Sequence, residues 1–80
     1  MNDIKEKVIE LIVNNAKYED EVTENTMLIE DMGFTSIELV AVVYDIETAF
    51  DISFDSDELD FDVINVVGNL IALVERKKGF

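Results

Sequence analysis

The first apolar pattern lies near the amino terminus and has the spacing of a helix. Glu6, Lys7 and Glu10 fall away from its apolar side, and Asp3 is an acidic residue suited to the first turn. The apolar side consists of Ile4, Val8, Leu11 and Ile12. The pattern predicts a helix over Asp3–Asn15 that packs this side inward.

A second helix is predicted over Ser36–Phe50, with Ser36 as its N-cap. Valines in this segment are compatible with a strand, but its length without a turn signal favours a helix. One apolar stripe is expected to face the core, and it consists of Leu39, Val42, Val43, Ile46 and Phe50. A second stripe cannot share that direction, and it consists of Ile37, Val40, Ala41 and Tyr44.

Residues 16–35 join these two helices and predict a long loop rich in Glu, Asp, Asn and Thr. Within the loop, Met27, Leu28 and Ile29 form an apolar cluster that we expect to pin it to the core. Gly33 permits a tight turn just ahead of Ser36. Loops of this length in compact domains are commonly functional or tied down.

The carboxyl-terminal part predicts a link over residues 51–56, a short helix over residues 56–61 capped by Ser56, and a last helix. Asn65 is the expected cap of that last helix. Its inward residues are Val66, Val67, Leu70, Ile71 and Val74, and its end is Arg76, Lys77 and Lys78, followed by Gly79. Cations in a last turn suit the helix dipole.

These segments predict one all-α domain spanning residues 1–80. It is a small four-helix bundle with three longer helices, one short helix and a long loop between the first two. The chain has no proline, and no linker or repeat interrupts it. Its 80 residues suit a single core, because a chain this short cannot divide its buried surface between two.

Charge narrows the range of partners. The chain has 19 acidic and 6 basic residues, and residues 18–75 contain 16 acidic side chains and no basic one. Such a surface repels nucleic acid and anionic membranes and attracts basic partners or divalent cations. The amino terminus has charges where a signal peptide needs an apolar block, and no apolar stretch is long enough for a membrane span, so we expect a cytoplasmic protein. We also expect a monomer, and the negative charge predicts that it binds no nucleic acid.

Ser36 is the residue with the most informative surroundings. A serine at a helix start is most often a cap. A serine hydrolase is excluded in practice, because the chain has no histidine, and the absence of cysteine removes thiolate chemistry as well. The same position suits a covalently attached phosphate diester, whose negative charge the first N–H groups of the helix would stabilise.

The run Glu30-Asp31-Met32-Gly33-Phe34-Thr35-Ser36-Ile37-Glu38-Leu39-Val40 resembles the signature of acyl carrier proteins. In that family an acidic residue, a hydrophobic residue and glycine precede Asp-Ser-Leu and an acidic helix. The likeness extends over nearly the whole chain, including the order of helices. Thr35 stands where the family usually has aspartate, and Ile37 replaces the usual leucine; the family tolerates variation there, particularly among peptidyl carriers.

The resemblance implies that Ser36 carries a phosphopantetheine arm, attached covalently from coenzyme A. The arm's thiol would hold acyl groups as thioesters, so the chain would be a group carrier and not an enzyme. Its partners would be a phosphopantetheinyl transferase and acyl-processing enzymes with basic docking surfaces, in fatty acid, polyketide or related synthesis.

Two sets of residues follow from this interpretation. The expected partner-binding residues on the second helix are Ile37, Glu38, Val40, Ala41, Tyr44, Asp45 and Glu47. The candidate lining of an acyl-chain pocket is Val43, Ile46, Phe50, Leu59 and Ile64. Core residues have the same sequence pattern as a pocket lining, so ordinary packing is the alternative for the second set.

Other readings remain open at this point. The chain is also compatible with an interaction module whose Ser36 stays unmodified, or with a peptidyl or aminoacyl carrier protein. Asp51, Ser53, Asp55, Asp57 and Asp62 suggest a calcium loop, but Ser56 stands where the EF-hand needs glycine and Asp62 where it needs glutamate. We therefore predict no dedicated metal site.

The uncompensated negative charge predicts that salt stabilises the fold. Added NaCl or MgCl2 should raise the thermal midpoint, because screening or neutralisation weakens the repulsion between carboxylates. Thermal melts at increasing salt measure this shift. An unchanged midpoint in magnesium would mean that charge repulsion does not limit stability.

Overall fold

The computed structural model describes residues 3–16 and 21–79. Residues 17–20 of the predicted loop lie outside that range. The helices are α1 Asp3–Asn15, α2 Leu28–Met32, α3 Ser36–Phe50, α4 Phe61–Ile64 and α5 Val67–Lys78, and a 3₁₀ turn covers Ser56–Glu58. The described residues form no strand, which confirms the all-α fold with three longer helices. The predicted bounds of α1 and α3 are also confirmed.

The core lies where α1 packs against α3 and α5. The predicted inward stripe of α3 is buried except for Phe50, which is half-buried at its end. The buried residues of the three long helices are Val8, Ile12, Leu39, Val42, Val43, Ile46, Val67, Leu70, Ile71, Leu73 and Val74. Helical spacing therefore identifies most of the inward residues, because residues three and four apart share one side of a helix. The predicted inward residues Ile4, Leu11 and Val66 are only half-buried, and Leu73 is buried although the pattern did not predict it.

The loop between α1 and α3 contains a short helix, α2, that the sequence reading missed. Leu28 and Met32, one helical turn apart, are buried, whereas Met27 and Ile29 are exposed. The prediction that Met27, Leu28 and Ile29 together pin the loop is therefore wrong for two of the three. In a helix, adjacent residues point in different directions, so only Leu28 of this cluster reaches the core.

The start of α5 differs from the prediction that Asn65 caps it. Asn65 lies at the end of α4, and α5 begins at Val67. The first N–H groups of α5 are paired with the loop ahead of α2: the Val67 N–H donates to the Thr26 carbonyl at 3.0 Å, and the Gly68 N–H donates to the Glu24 carbonyl at 2.8 Å. Backbone carbonyls thus satisfy donors that otherwise need a side-chain cap.

Gly68 is required by this close approach. A Cβ at this position would lie 2.9 Å from the Glu24 carbonyl oxygen, closer than backbone atoms allow. The glycine therefore lets the loop and the start of α5 pair directly.

Asn65 instead fastens α2 to the rest of the bundle. Its side-chain oxygen accepts a hydrogen bond from the Ile29 N–H at 2.8 Å, and its amide nitrogen donates to the Glu30 carboxylate at 2.6 Å. Its carbonyl accepts from the Leu28 N–H at 2.8 Å. Asn65 is buried, so these bonds replace water for the first N–H groups of a short helix that lacks a side-chain cap of its own.

The segment predicted as a single helix capped by Ser56 is two elements. Glu58 accepts a hydrogen bond from the Asp55 N–H at 2.7 Å, which closes the 3₁₀ turn that Ser56 begins. Asp60 then caps α4, accepting from the Asp62 N–H at 3.0 Å. Acidic residues at these two starts complement the N-terminal end of each turn, which explains why the serine is not the cap.

The last turn of α5 holds the 3₁₀ turn and the end of α3. The Lys77 ammonium lies 2.8 Å from the Glu58 carboxylate and 3.6 Å from that of Asp55, and Lys78 donates to the Phe50 carbonyl at 3.2 Å. The hydrogen bond from Lys77 lowers the pKa of the Glu58 carboxyl. The small stabilisation from this surface pair is therefore lost as the pH falls through that lowered pKa. Gly79 ends α5 with a φ of 88°, as expected for a C-terminal glycine.

In the part of the chain that the structure describes, none of the helices has the length and apolar character needed to cross a bilayer.

The fold predicts that Asn65→Ala destabilises the protein by about 1–3 kcal/mol, because the part-buried Ile29 N–H and the Glu30 carboxylate lose the buried side chain that pairs with them. Thermal or urea unfolding measures this change. Asn69→Ala is the matched control, since Asn69 is exposed and its side chain donates one hydrogen bond, of 3.1 Å, to the Val63 carbonyl. Equal effects of the two substitutions would contradict the role assigned to Asn65.

Candidate cofactor attachment site

A sharp turn leads the chain from α2 into α3. Gly33 has a φ of 71°, a left-handed conformation that glycine adopts without strain. Its N–H donates to the Ile29 carbonyl at 3.1 Å, and the Phe34 N–H donates to the Leu28 carbonyl at 3.0 Å. Phe34 is buried, so the turn is anchored one residue before α3 is capped. This confirms the turn predicted at Gly33.

Thr35, not Ser36, is the N-cap of α3. The Thr35 hydroxyl accepts from the Glu38 N–H at 3.2 Å, and the Glu38 carboxylate accepts from the Thr35 N–H at 2.9 Å. This reciprocal pair is a capping box. The prediction that Ser36 is the cap is therefore wrong by one residue, because the threonine before it takes the position.

Ser36 is consequently the first residue of α3, and its side chain is exposed. Its hydroxyl has no hydrogen-bond partner among residues 3–16 and 21–79. The N-terminal end of a 15-residue helix supplies backbone N–H groups and a positive dipole end, both of which favour a phosphate. The site thus combines an available nucleophilic oxygen with a local environment suited to an anion.

A shallow apolar groove adjoins the hydroxyl. It encloses about 310 Å³ and is lined by Ser36, Ile37 and Val40 of α3 and by Phe61 of α4. Phe61 was not among the predicted site residues. No sequence signal could have found it, because its place beside α3 depends on how the link after α3 folds back.

The predicted partner-binding residues separate into two groups. Ile37 is 81% exposed, Tyr44 66% and Val40 52%, and Ala41 is half-buried beside them. The carboxylates are half-buried and hydrogen-bonded within the chain. Asp45 accepts from the Asn15 side chain at 2.9 Å and Glu47 from the Phe54 N–H at 2.8 Å, while Glu38 belongs to the capping box.

The candidate acyl-chain residues lie in or against the central core. Val43, Ile46 and Ile64 belong to the buried core, and Phe50 and Leu59 are half-buried residues that pack against that core. The structure therefore brings the five residues into one cluster. Their role as a pocket stays a prediction.

The described residues contain no group of three or more carboxylates placed to hold a metal ion. Two members of the calcium-loop pattern have other roles: Asp51 ends α3 with a φ of 55°, and Asp55 pairs with Lys77. Asp60, which lies in the same segment, caps α4.

Comparisons with known proteins agree with this geometry. Residues 6–74 match the family described as the phosphopantetheine attachment site. The chain is 40% identical over 73 residues to an acyl carrier protein of Streptococcus pyogenes serotype M3, covering 90% of this chain and 92% of that one. It is 38% identical over 61 residues to an acyl carrier protein of Thermotoga maritima, covering 76% and 73%.

A solved structure shows the same fold. It is a chain of Mycobacterium tuberculosis provisionally assigned as an acyl carrier protein. The two superpose with a TM-score of 0.81 at 25% sequence identity, over 91% of this chain and 96% of that one.

The fold and the exposed serine at a helix start define a phosphopantetheine-dependent carrier. The chain belongs to the acyl carrier protein family, and its cofactor is a covalently attached phosphopantetheine. The residues present fit this group, since an exposed hydroxyl with no hydrogen-bond partner among the described residues stands beside backbone N–H donors and an apolar groove.

The capping box predicts that Thr35→Ala lowers stability by about 1 kcal/mol, whereas Thr35→Asp retains it, since aspartate is an equally good cap. Thermal melts of the two variants distinguish them. An alanine variant as stable as the wild type would show that the box does not stabilise α3.

Proposed function

We propose that this protein carries acyl groups on a phosphopantetheine arm attached to Ser36. The observation that supports this most is the exposed Ser36 hydroxyl at the first position of α3, with its capping role taken by Thr35. When bound, the arm supplies a thiol that holds an acyl group as a thioester. This chemistry needs no cysteine of the chain, which has none.

Attachment replaces a phosphoanhydride bond of coenzyme A by a phosphate ester bond to Ser36. The Ser36 oxygen forms a bond to the phosphorus that bears the pantetheine in coenzyme A, and the diphosphate bond to the nucleotide breaks. Adenosine 3′,5′-bisphosphate leaves with the bonding electrons. The hydroxyl proton goes to a general base, which we assign to the transferase.

The chain then acts as a carrier and not as a catalyst. Its partners are the transferase and the acyl-processing enzymes of fatty acid, polyketide or related synthesis. The formal net charge of −13 steers basic surfaces toward it. We further propose that it works as a single-domain cytoplasmic monomer.

The acyl chain is proposed to shelter among Val43, Ile46, Phe50, Leu59 and Ile64. Three of these side chains are already buried in the core, so an acyl group would enter by displacing the partly exposed Phe50 and Leu59. The burial of these three residues therefore favours an acyl group that lies at the edge of the core over one that fills a preformed cavity.

Intact mass spectrometry after incubation with coenzyme A and a broad-specificity transferase tests the attachment. We expect the mass of one phosphopantetheine group to be added, and none to be added to Ser36→Ala. Ser53→Ala and Ser56→Ala are matched controls, because both serines are exposed and both variants should still be modified. An unmodified wild type would favour the bare interaction module.

A further inference from the structure

Two backbone donors of the turn ahead of Ser36 bind neighbouring residues of α2. The Phe34 N–H donates to the Leu28 carbonyl at 3.0 Å, and the Gly33 N–H donates to the Ile29 carbonyl at 3.1 Å. These two donors immediately precede the cap of α3, so the position of α2 determines where the chain enters α3.

The helix α2 depends on a residue outside it for its own position. It has five residues and no side-chain cap, and a helix this short is not stable in isolation. The N–H groups of the same two residues, Leu28 and Ile29, donate to the backbone carbonyl and the side-chain oxygen of Asn65, each at 2.8 Å. Two hydrogen-bonded paths therefore join Asn65 through α2 to the turn that leads to Ser36.

The Asn65 amide is held in the orientation that these bonds require. Its nitrogen donates to the Glu30 carboxylate at 2.6 Å, which directs its oxygen toward the Ile29 N–H. Asn65 is 6% exposed, so water replaces neither partner. A carboxylate at this position has no donor and could make only one of the two bonds.

Asn65 also anchors the groove residue that α4 contributes. Its N–H donates to the Phe61 carbonyl at 3.0 Å where α4 ends, and the Phe61 side chain lines the same groove as Ser36. The helix α4 packs against α5, whereas α2 packs against α3. Asn65 thus joins the pair of helices that supplies Phe61 to the pair that supplies Ser36.

We propose, on the basis of the proposed function, that Asn65 is a positioning residue for the attachment of phosphopantetheine. Its bonds to α2 hold the turn ahead of α3, and the turn holds Ser36 beside Phe61. Without these bonds, residues 28–35 open locally while the rest of the bundle stays folded. A transferase then finds the competent arrangement in only a fraction of the molecules, and its apparent affinity falls by that fraction.

Reversing the amide and the carboxylate of the Asn65–Glu30 pair tests this role. Asn65→Asp keeps an oxygen that accepts from the Ile29 N–H but sets a second carboxylate against that of Glu30, and like charges at this distance repel. Adding Glu30→Gln restores one amide and one carboxylate, in reversed order, with the net charge of the wild type. Asn69→Asp is the matched control, since it adds the same charge at an exposed position of α5.

Hydrogen exchange followed by NMR gives a readout that needs no cofactor. In Asn65→Asp the Gly33 and Phe34 amides should exchange at least about tenfold faster, the factor expected from one lost hydrogen bond of ordinary net strength. The double variant should exchange as the wild type does, and so should Asn69→Asp.

Steady-state modification by coenzyme A and a broad-specificity transferase gives the second readout, with the carrier as the varied substrate. Asn65→Asp should raise KM about fivefold at unchanged kcat, and the double variant should recover the wild-type KM. Thermal melts verify that each variant is folded at the assay temperature. Glu30→Ala removes only the acceptor of the Asn65 amide, so it should shift both readouts in the same direction by a smaller factor, even where Asn65→Asp is too unstable to measure.

Wild-type KM and wild-type exchange at Gly33 and Phe34 in the folded single variants would overturn the proposal, because Asn65 would then be structural only. A double variant as impaired as Asn65→Asp would overturn it as well. A wild type that gains no mass marks failure of the proposed function instead, and the exchange rates would still decide whether Asn65 holds the turn.

Discussion

The capping box between Thr35 and Glu38 is the interaction on which the rest of this account depends. A helix start leaves several backbone N–H groups unpaired, and a serine near that start is ordinarily recruited to bind one of them. Here Thr35 does so, and the Glu38 carboxylate closes the pair by binding the Thr35 N–H. Ser36 therefore begins α3 with an exposed hydroxyl that is not used as the cap, so this hydroxyl is accessible to a modifying enzyme.

Thr35 is the main departure of this chain from the family's usual sequence beside the serine. The usual residue at this position is aspartate, and both side chains have an oxygen that accepts from the N–H three residues on. The departure therefore preserves the cap while it removes one negative charge beside the attachment point. With Glu38, Asp45 and Glu47 each bonded within the chain, the surface around Ser36 is more apolar than the composition suggests. The high net charge determines the electrostatic field far from the molecule, whereas the surface beside Ser36 is largely apolar.

Helical periodicity predicts the long elements well and the short ones poorly. The bounds of α1 and α3 and the inward stripe of α3 follow from apolar spacing, since a long helix must bury one face. The helix α2 was not predicted, because five residues contain too little periodicity to separate a turn of helix from a loop. The caps were misplaced at Ser36, Ser56 and Asn65. Each was assigned from residue type, whereas the true partners depend on the path of the loop.

The start of α5 shows why the path of a loop cannot be predicted from a local sequence pattern. Its donors are paired with carbonyls of Glu24 and Thr26, more than forty positions earlier in the chain. Asn65, taken from sequence as a cap for α5, instead binds α2 across the bundle. Phe61 reaches the attachment site by the same kind of long-range arrangement. Ser36 is found from sequence because its motif is local, whereas Phe61, one of the four residues that line the groove beside it, is not.

The most direct test of the central claim is a phosphorus–proton correlation spectrum of the modified protein. The account predicts one phosphodiester resonance that correlates with the β-protons of Ser36, with α3 remaining folded. A correlation with Ser53 or Ser56 instead, or loss of the α3 signals on modification, would contradict it.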